Sequence, residues 1–183
     1  MFEPDIRPEQ ADDAAAVRAL VTAAFGTDDG TADFVQAVRD ETEVCLAEVA
    51  VTGGAIVGHA QWCDAPLSVD GRTVKGAYLA CLSAEPALHK RGIGSRLVRS
   101  GLKRLAERGY EAASLLGDPA YYGRFGFSPD LAARIEAPHR SRGRGFQAIE
   151  LVSGALDGKQ VRGVFPAVIA PVGPLSPRKG DAG

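Results

Sequence analysis

Apolar residues first recur at helical spacing in EQADDAAAVRALVTAAF, where Ala14, Val17, Leu20, Val21 and Ala24 fall on one side of a helix. Asp12 and Asp13 stand at its start, where negative charge favours a helix N-terminus. A short strand and turn, PDIRPEQ, precede it. GTDDGTAD interrupts the pattern, and ADFVQAVRD resumes it as a second short helix. EVCLAEVAV and AIVGHAQWC read as two strands joined by the turn TGG, a hairpin. Asp70-Gly71 is a second tight-turn signal. VKGAYLACLSAEP is apolar on both faces, which predicts a central fourth strand ended by Pro86. In GIGSRLVRSGLKRLAERG, Ile93, Leu97, Val98, Leu102 and Leu105 line one face of a helix that Gly109 stops. YEAASLLG predicts a fifth strand. DPAYYGRF predicts a short helix capped by Asp118, with Pro119 at its first position. Phe146 to Val152 predicts the last strand, and from Pro171 the chain reads as a mobile tail.

These elements form one mixed α/β arrangement with no internal boundary. The expected single domain covers residues 1–173, with 174–183 as a flexible tail. A chain of 183 residues that is 45% hydrophobic can bury a real core. The net charge of −2 argues against a general nucleic-acid partner. No signal peptide opens the chain, and no apolar run approaches the roughly 18 residues of a membrane span, so the cytoplasm is the expected location. Cys45, Cys63 and Cys81 lack any CxxC spacing, which predicts buried free thiols and neither a disulfide nor a metal site.

HKRGIGSRLV carries the first chemical signal. The order is strand, loop, helix, with Gly92 and Gly94 at the loop tip. Glycine turns tightly and lets a ligand approach the backbone. The first turn of the helix adds unpaired N–H groups and the positive end of the dipole, together an anion cradle suited to a pyrophosphate. Lys90 and Arg91 put positive charge at its rim, and Arg96, Arg99, Lys103 and Arg104 continue it along the helix. Glu107 is the only acid between residues 89 and 108. The pattern is not a Walker loop, since no GK[ST] follows. It is not a dinucleotide fingerprint, since Leu97 stands where the third glycine belongs. A plain helix with a tight start and a solvated basic face is the alternative.

Together with the downstream YYGRFGF, Tyr121 to Phe127, the stretch LSAEPALHKRGIGSRLV resembles the GNAT superfamily of acetyl-CoA-dependent N-acetyltransferases. The family pattern [Q/R]-x-x-G-x-[G/A] is matched by His89-Lys90-Arg91-Gly92-Ile93-Gly94, with His89 in place of Gln or Arg. Tyr-x-x-x-Gly-Phe is matched by Tyr122 through Phe127. The opening helix and first hairpin are also similar, so the resemblance covers roughly residues 4–130. The family often has an Asn near the start of the helix before the tyrosine; GDPA occupies that region here.

The resemblance implies a mostly antiparallel, twisted sheet splayed between the fourth and fifth strands, with helices on both faces. Acetyl-CoA is the implied co-substrate, without a metal. Pantetheine would pair with Leu82, Ser83 and Ala84, and the pyrophosphate would lie on His89, Lys90, Arg91, Gly92, Ile93, Gly94 and Ser95. An amine, free or on a peptide, would attack the thioester directly, and Tyr122 would protonate the departing thiolate. Tyr121 is the alternative acid. His59 is a candidate base or a hydrogen-bonded structural residue, on the opposite strand face from Ile56, Gly58, Ala60 and Trp62. Glu48 and Glu85 are weaker candidates, expected to be solvated. Cys81 has no evident basic partner and reads as core. The loop Ala137 to Gln147 carries His139, Arg140, Arg142 and Arg144 without an acid. It is expected to gate the acceptor pocket or to be a solvated surface loop. An acyl-CoA-binding module with little catalysis and a nucleotide-binding regulator are the competing readings. The chain is expected to be a monomer or a homodimer.

Overall fold

The computed structural model describes residues 3–27 and 30–169. The expected tail from Pro171, including residues 174–183, lies outside them. The elements are β1 (Asp5–Pro8), α1 (Ala14–Phe25), α2 (Thr31–Glu41), β2 (Val44–Thr52), β3 (Ala55–Asp64), β4 (Leu67–Val69), β5 (Arg72–Val74) and β6 (Gly76–Ala84). There follow α3 (Ile93–Glu107), β7 (Ala112–Leu116), α4 (Pro119–Tyr122), α5 (Pro129–Ala132), β8 (Ile135–Glu136), β9 (Phe146–Glu150) and β10 (Val161–Gly163).

Six strands form the main sheet in the order β1-β2-β3-β6-β7-β9. All pairs are antiparallel except β6 with β7. The apolar fourth strand of the sequence is β6, and it is central, between β3 and β7. A second sheet of four strands, β5-β4-β10-β8, was not expected. The Asp70-Gly71 turn makes its hairpin, with φ of 49° and 86° at the two residues, the paired positive values that a tight two-residue hairpin turn needs. β10, inside that sheet between β4 and β8, follows the strand at Phe146 in the chain, so that strand is not the last. Residues this short and separated by loops give no period for a sequence to show.

α3 packs on one face of the main sheet and α1 and α2 on the other. Small residues decide how closely α3 can approach. A Cβ on Gly58 of β3 would lie 2.5 Å from Ile93 Cγ2 and 3.0 Å from Leu97 Cδ1. Gly101 of α3 lies on the indole of Trp62, where a Cβ would come 2.6 Å from Nε1. Glu48 of β2 lies beneath α3, fully buried. Its Oε1 accepts from Ser100 Oγ at 2.7 Å and meets Arg104 Nε at 2.8 Å. Burial pushes this carboxyl's pKa up, while the Ser100 hydrogen bond and the Arg104 charge oppose the shift. Glu48 is therefore a buried anchor and not the solvated acid the sequence suggested: the alternation of β2 puts it on the α3 face, and α3 brings the arginine.

On the opposite face, Arg39 of α2 donates to Glu9 Oε2 at 2.8 Å and to Gln61 Oε1 at 2.8 Å, and His59 Nε2 lies 3.0 Å from the same Glu9 oxygen. Burial alone would raise the Glu9 pKa. The hydrogen bond from His59 and the charges of His59 and Arg39 outweigh it and hold the carboxyl below its ordinary value. A bulge between Ala50 and Val51 leaves Val57 of β3 without a partner. The extra residue brings Ile56 onto the α1–α2 side, against Val17, Val21, Val49 and Cys81, so it shares the face of His59 and does not oppose it. The cysteines are free, as expected; Cys63 and Cys81 are buried and Cys45 half-buried.

Two outcomes follow for stability. Gly58→Val forces a side chain into the α3 contact and should lower the unfolding free energy by roughly 1–3 kcal/mol, read as a lower urea midpoint at unchanged slope. At the start of α1, Arg7 binds Asp13 at 2.6 Å and Gln10 N–H donates to the same carboxylate at 2.8 Å, which together hold its pKa down at about 2. A depressed carboxylate stabilises the fold above its unfolded value, about 3.9, and loses that contribution as pH falls through its folded value. Stability should therefore fall between about pH 4 and pH 2. Asp13→Asn should flatten that part of the profile in acid-titrated urea melts.

Candidate active site

Parallel pairing of β6 with β7 runs from Gly76–Ala112 to Leu79–Leu115 and stops. β6 continues to Ala84 along β3 alone. The Glu85 amide donates to the Val57 carbonyl at 2.9 Å, which makes His59–Ser83 a directly bonded pair and Leu82 and Ala84 the outward-facing ones. The backbone groups of Leu82 and Ala84 thus point away from β3, into the gap between the parted strands. Ser83 directs its backbone to His59 instead. Its side chain lies on the α1–α2 face, buried, its hydroxyl without a hydrogen-bond partner among the described residues. The site residues proposed on β6 are therefore adjacent in sequence but split between two directions.

A 3-10 turn at Pro86–Leu88 carries the chain from β6 to the glycine loop. His89, Lys90 and Arg91 are exposed. Lys90 has φ of 64° and Gly92 of 81°, so the chain reverses through two left-handed residues before α3 begins at Ile93. The first intrahelical bond is Arg96 N to Gly92 O at 3.0 Å. The amides of Ile93, Gly94 and Ser95 precede it, in the turn where helices leave N–H groups unpaired. Ile93 itself is buried in the α3 core. Gly94 faces the aromatic cluster: a Cβ there would come 2.6 Å from the Tyr121 hydroxyl and 3.6 Å from Leu82 Cδ2. The loop, β6 and the tyrosines therefore meet at Gly94.

Asp118 caps α4 through Ala120 N–H at 2.9 Å, with Pro119 following, as the sequence pattern implied. Tyr122 is buried, its ring against Gly117 at the end of β7 and edge-on to Phe127 at 6.0 Å. Tyr121 is half-buried, edge-on to Tyr122 at 4.8 Å, with its hydroxyl toward the start of α3. The Tyr121 hydroxyl thus borders the start of α3, and the Tyr122 ring borders the end of β7.

The basic face of α3 is less exposed than the sequence implied. Arg96 pairs with Glu3 at 2.6 Å, Lys103 lies 3.8 Å from Glu107, and Arg104 serves Glu48. Glu3 and Glu48 lie more than forty residues away in sequence, outside any local charge count. His59 is fully buried in the Glu9–Arg39 network, which makes it the hydrogen-bonded residue of the two readings. Glu85 is half-buried at the end of β6. Burial pushes the Cys81 thiol up to about 12, which disfavours the thiolate a nucleophile needs. The arginine-rich loop forms 3-10 turns over Pro138–Gly145, from which Arg144 reaches Asp130 at 3.3 Å. No described helix is long and apolar enough to cross a membrane, and no metal-binding group of side chains occurs among the described residues.

The family model for the acetyltransferase (GNAT) domain matches residues 5–129. N-acetyltransferase YhbS of Escherichia coli K12 is 34% identical over 156 residues, 84% of this chain and 90% of that protein. The crystal structure of E. coli YhbS in complex with CoA superposes with a TM-score of 0.77 at 29% identity, covering 88% of this chain and 90% of that one. A GNAT acetyltransferase from Brucella melitensis in complex with acetyl-CoA gives 0.70 at 29% identity, covering 92% and 99%. With parted strands, a glycine loop at the start of α3 and a tyrosine pair over both, this chain belongs to the GNAT acetyltransferase family.

Proposed function

We propose that the chain moves an acetyl group from acetyl-CoA to a primary amine, by direct attack within a ternary complex. The observation that carries this reading is the gap left where β6 leaves β7, with the backbone groups of Leu82 and Ala84 turned into it. An extended pantetheine arm is itself a chain of amides, so it can pair with that free edge as an added strand would. The diphosphate then falls at the glycine loop, where the amides from Ile93 to Ser95 and the charges of Lys90 and Arg91 meet it. His89 replaces the usual Gln or Arg there and still offers a ring N–H. The two solved relatives bound to CoA and acetyl-CoA support the same ligand here.

The acetyl group then lies between the parted strands, with its carbonyl near an outward amide of β6. An N–H in that position stabilises the oxyanion that forms as the amine attacks. The neutral amine adds to the thioester carbon, the carbon–sulfur bond breaks, and the sulfur leaves with the electron pair. Tyr122 donates its phenolic proton to that sulfur, and the proton that the attacking nitrogen gives up as the amide forms passes through water to restore the phenol. Its place directly after β7 supports the role, while the Tyr121 hydroxyl at Gly94 keeps Tyr121 as the alternative.

A second reading, acyl-CoA binding with little turnover, draws on one specific observation. His59 and Glu48, two side chains considered as bases, are held in buried ionic networks.

The test is acceptor-dependent CoA release from acetyl-CoA across a panel of amines, with acetyl-CoA affinity measured alongside. Tyr122→Phe should lower kcat by about 10²-fold or more with affinity unchanged, the range that loss of a general acid produces. A comparable loss in Tyr121→Phe alone would move the acid to Tyr121. Tight binding without release for any amine would favour the binding module, and absence of binding would remove the acetyl-CoA reading.

A further inference from the structure

Gln147 of β9 is fully buried and takes no part in the chemistry proposed above. It stands opposite Leu115 of β7, which belongs to the α3 core, and Ile149, two residues further along β9, packs against that core. An apolar side chain would fit such a place at no polar cost. Gln147 carries an amide there and satisfies half of it. Its Nε2 donates to the Gly117 carbonyl at 3.1 Å, while its Oε1 is buried with no hydrogen-bond partner among the described residues. Chemistry fixes which amide atom is which, since a carbonyl only accepts. A buried acceptor left unpaired is costly, so this side chain gives up stability for one contact, with Gly117.

Gly117 joins β7 to α4. Its N–H donates to the Gly145 carbonyl at 2.9 Å, just past the last paired residues, Leu116 and Phe146. Its carbonyl takes Gln147, so both polar groups of Gly117 are held from β9 and the segment before it. The next residue, Asp118, caps α4, and its carbonyl accepts from the amides of Tyr121 at 3.1 Å and Tyr122 at 3.0 Å. A helix of four residues has little rigidity of its own, so its placement follows the point where the chain leaves β7. The Tyr122 ring then lies directly on Gly117: a Cβ there would come 2.3 Å from Cε2 and 2.7 Å from Cδ2. So close a contact passes a displacement of Gly117 on to the phenol. We propose that Gln147 is a positioning residue for proton transfer to the departing thiolate. Through the Gly117 carbonyl it fixes where the chain turns out of β7, and through Gly117 it fixes the Tyr122 ring. This rests on the reading of Tyr122 as the acid. The contacts proposed for acetyl-CoA lie elsewhere, on β6 and the glycine loop, so loss of this hydrogen bond acts on rate and not on affinity.

The test is a double-mutant cycle on kcat, with acetyl-CoA affinity measured by calorimetry for every variant. Gln147→Met keeps the length of the side chain and removes both polar atoms. With the best amine of the panel it should lower kcat for CoA release roughly tenfold and leave acetyl-CoA affinity within about twofold, as a misplaced reacting group does. In the Tyr122→Phe background the same substitution should change kcat by less than about twofold, because no phenol is left to place. A merely structural role lowers kcat by the same factor in both backgrounds, and that result would overturn the proposal. So would an unchanged kcat in Gln147→Met alone. Gln147→Leu serves as the second variant, and if neither variant binds acetyl-CoA, Gln147 is a residue of the fold and the proposal falls. If Tyr122→Phe itself leaves kcat unchanged, or no amine releases CoA, the reading of Tyr122 as the acid fails and the role of Gln147 with it.

Discussion

The parting of β6 from β7 is the constraint around which this molecule is arranged. Strand pairing satisfies the backbone of β6 on one side along its whole length, but on the other only as far as Leu79. Beyond that point N–H and C=O groups face a gap inside the domain, a costly arrangement unless something pairs with them. Each feature near the gap works on its boundary. α3 starts at its mouth, the α4 tyrosines close its other side, and Leu82 lines it from β6.

Holding the gap open requires both faces of the sheet to be pinned independently. On the α3 side, Gly58, Ala50 and Gly101 let the helix approach closely, and the buried Glu48–Arg104 pair fixes its rotation. Such a pair contributes little net stability, because desolvation offsets its attraction, but it disfavours any register in which either charge is left alone. On the other side, Glu9 joins the segment after β1 to α2 through Arg39 and to β3 through His59. These networks hold the carboxylates of Glu48 and Glu9 in ion pairs. What borders the gap is the outward backbone of β6, with the glycine loop and the Tyr121 hydroxyl meeting at Gly94.

Much of this was legible in order along the chain. α1, α2, the β2–β3 hairpin, β6, α3 and β7 stand where periodicity placed them, because each has a buried face long enough to repeat. The cap at Asp118 and the stop at Gly109 were legible for a local reason, since both act within a few residues. The second sheet was not, because strands of two or three residues leave no period. The bulge at Val57 was also hidden; one inserted residue changes which face Ile56 occupies without altering composition.

The sequence by itself determined the element order, the central place of β6, the glycine turn into α3 and the pairing of that motif with a Tyr-x-x-x-Gly-Phe segment, from which family membership could be read. All of these are encoded within a few turns of chain, where spacing maps directly onto geometry. Only the tertiary structure decided which charges are free. Glu48 changed from a solvated acid to a buried anchor, Arg96 found Glu3, and Arg99 came to lie over Phe125. It also divided Leu82 and Ala84 from Ser83. The physical reason is that ion pairing, and the direction of a strand's hydrogen bonds, depend on which distant segment lies alongside, and no local pattern carries that information.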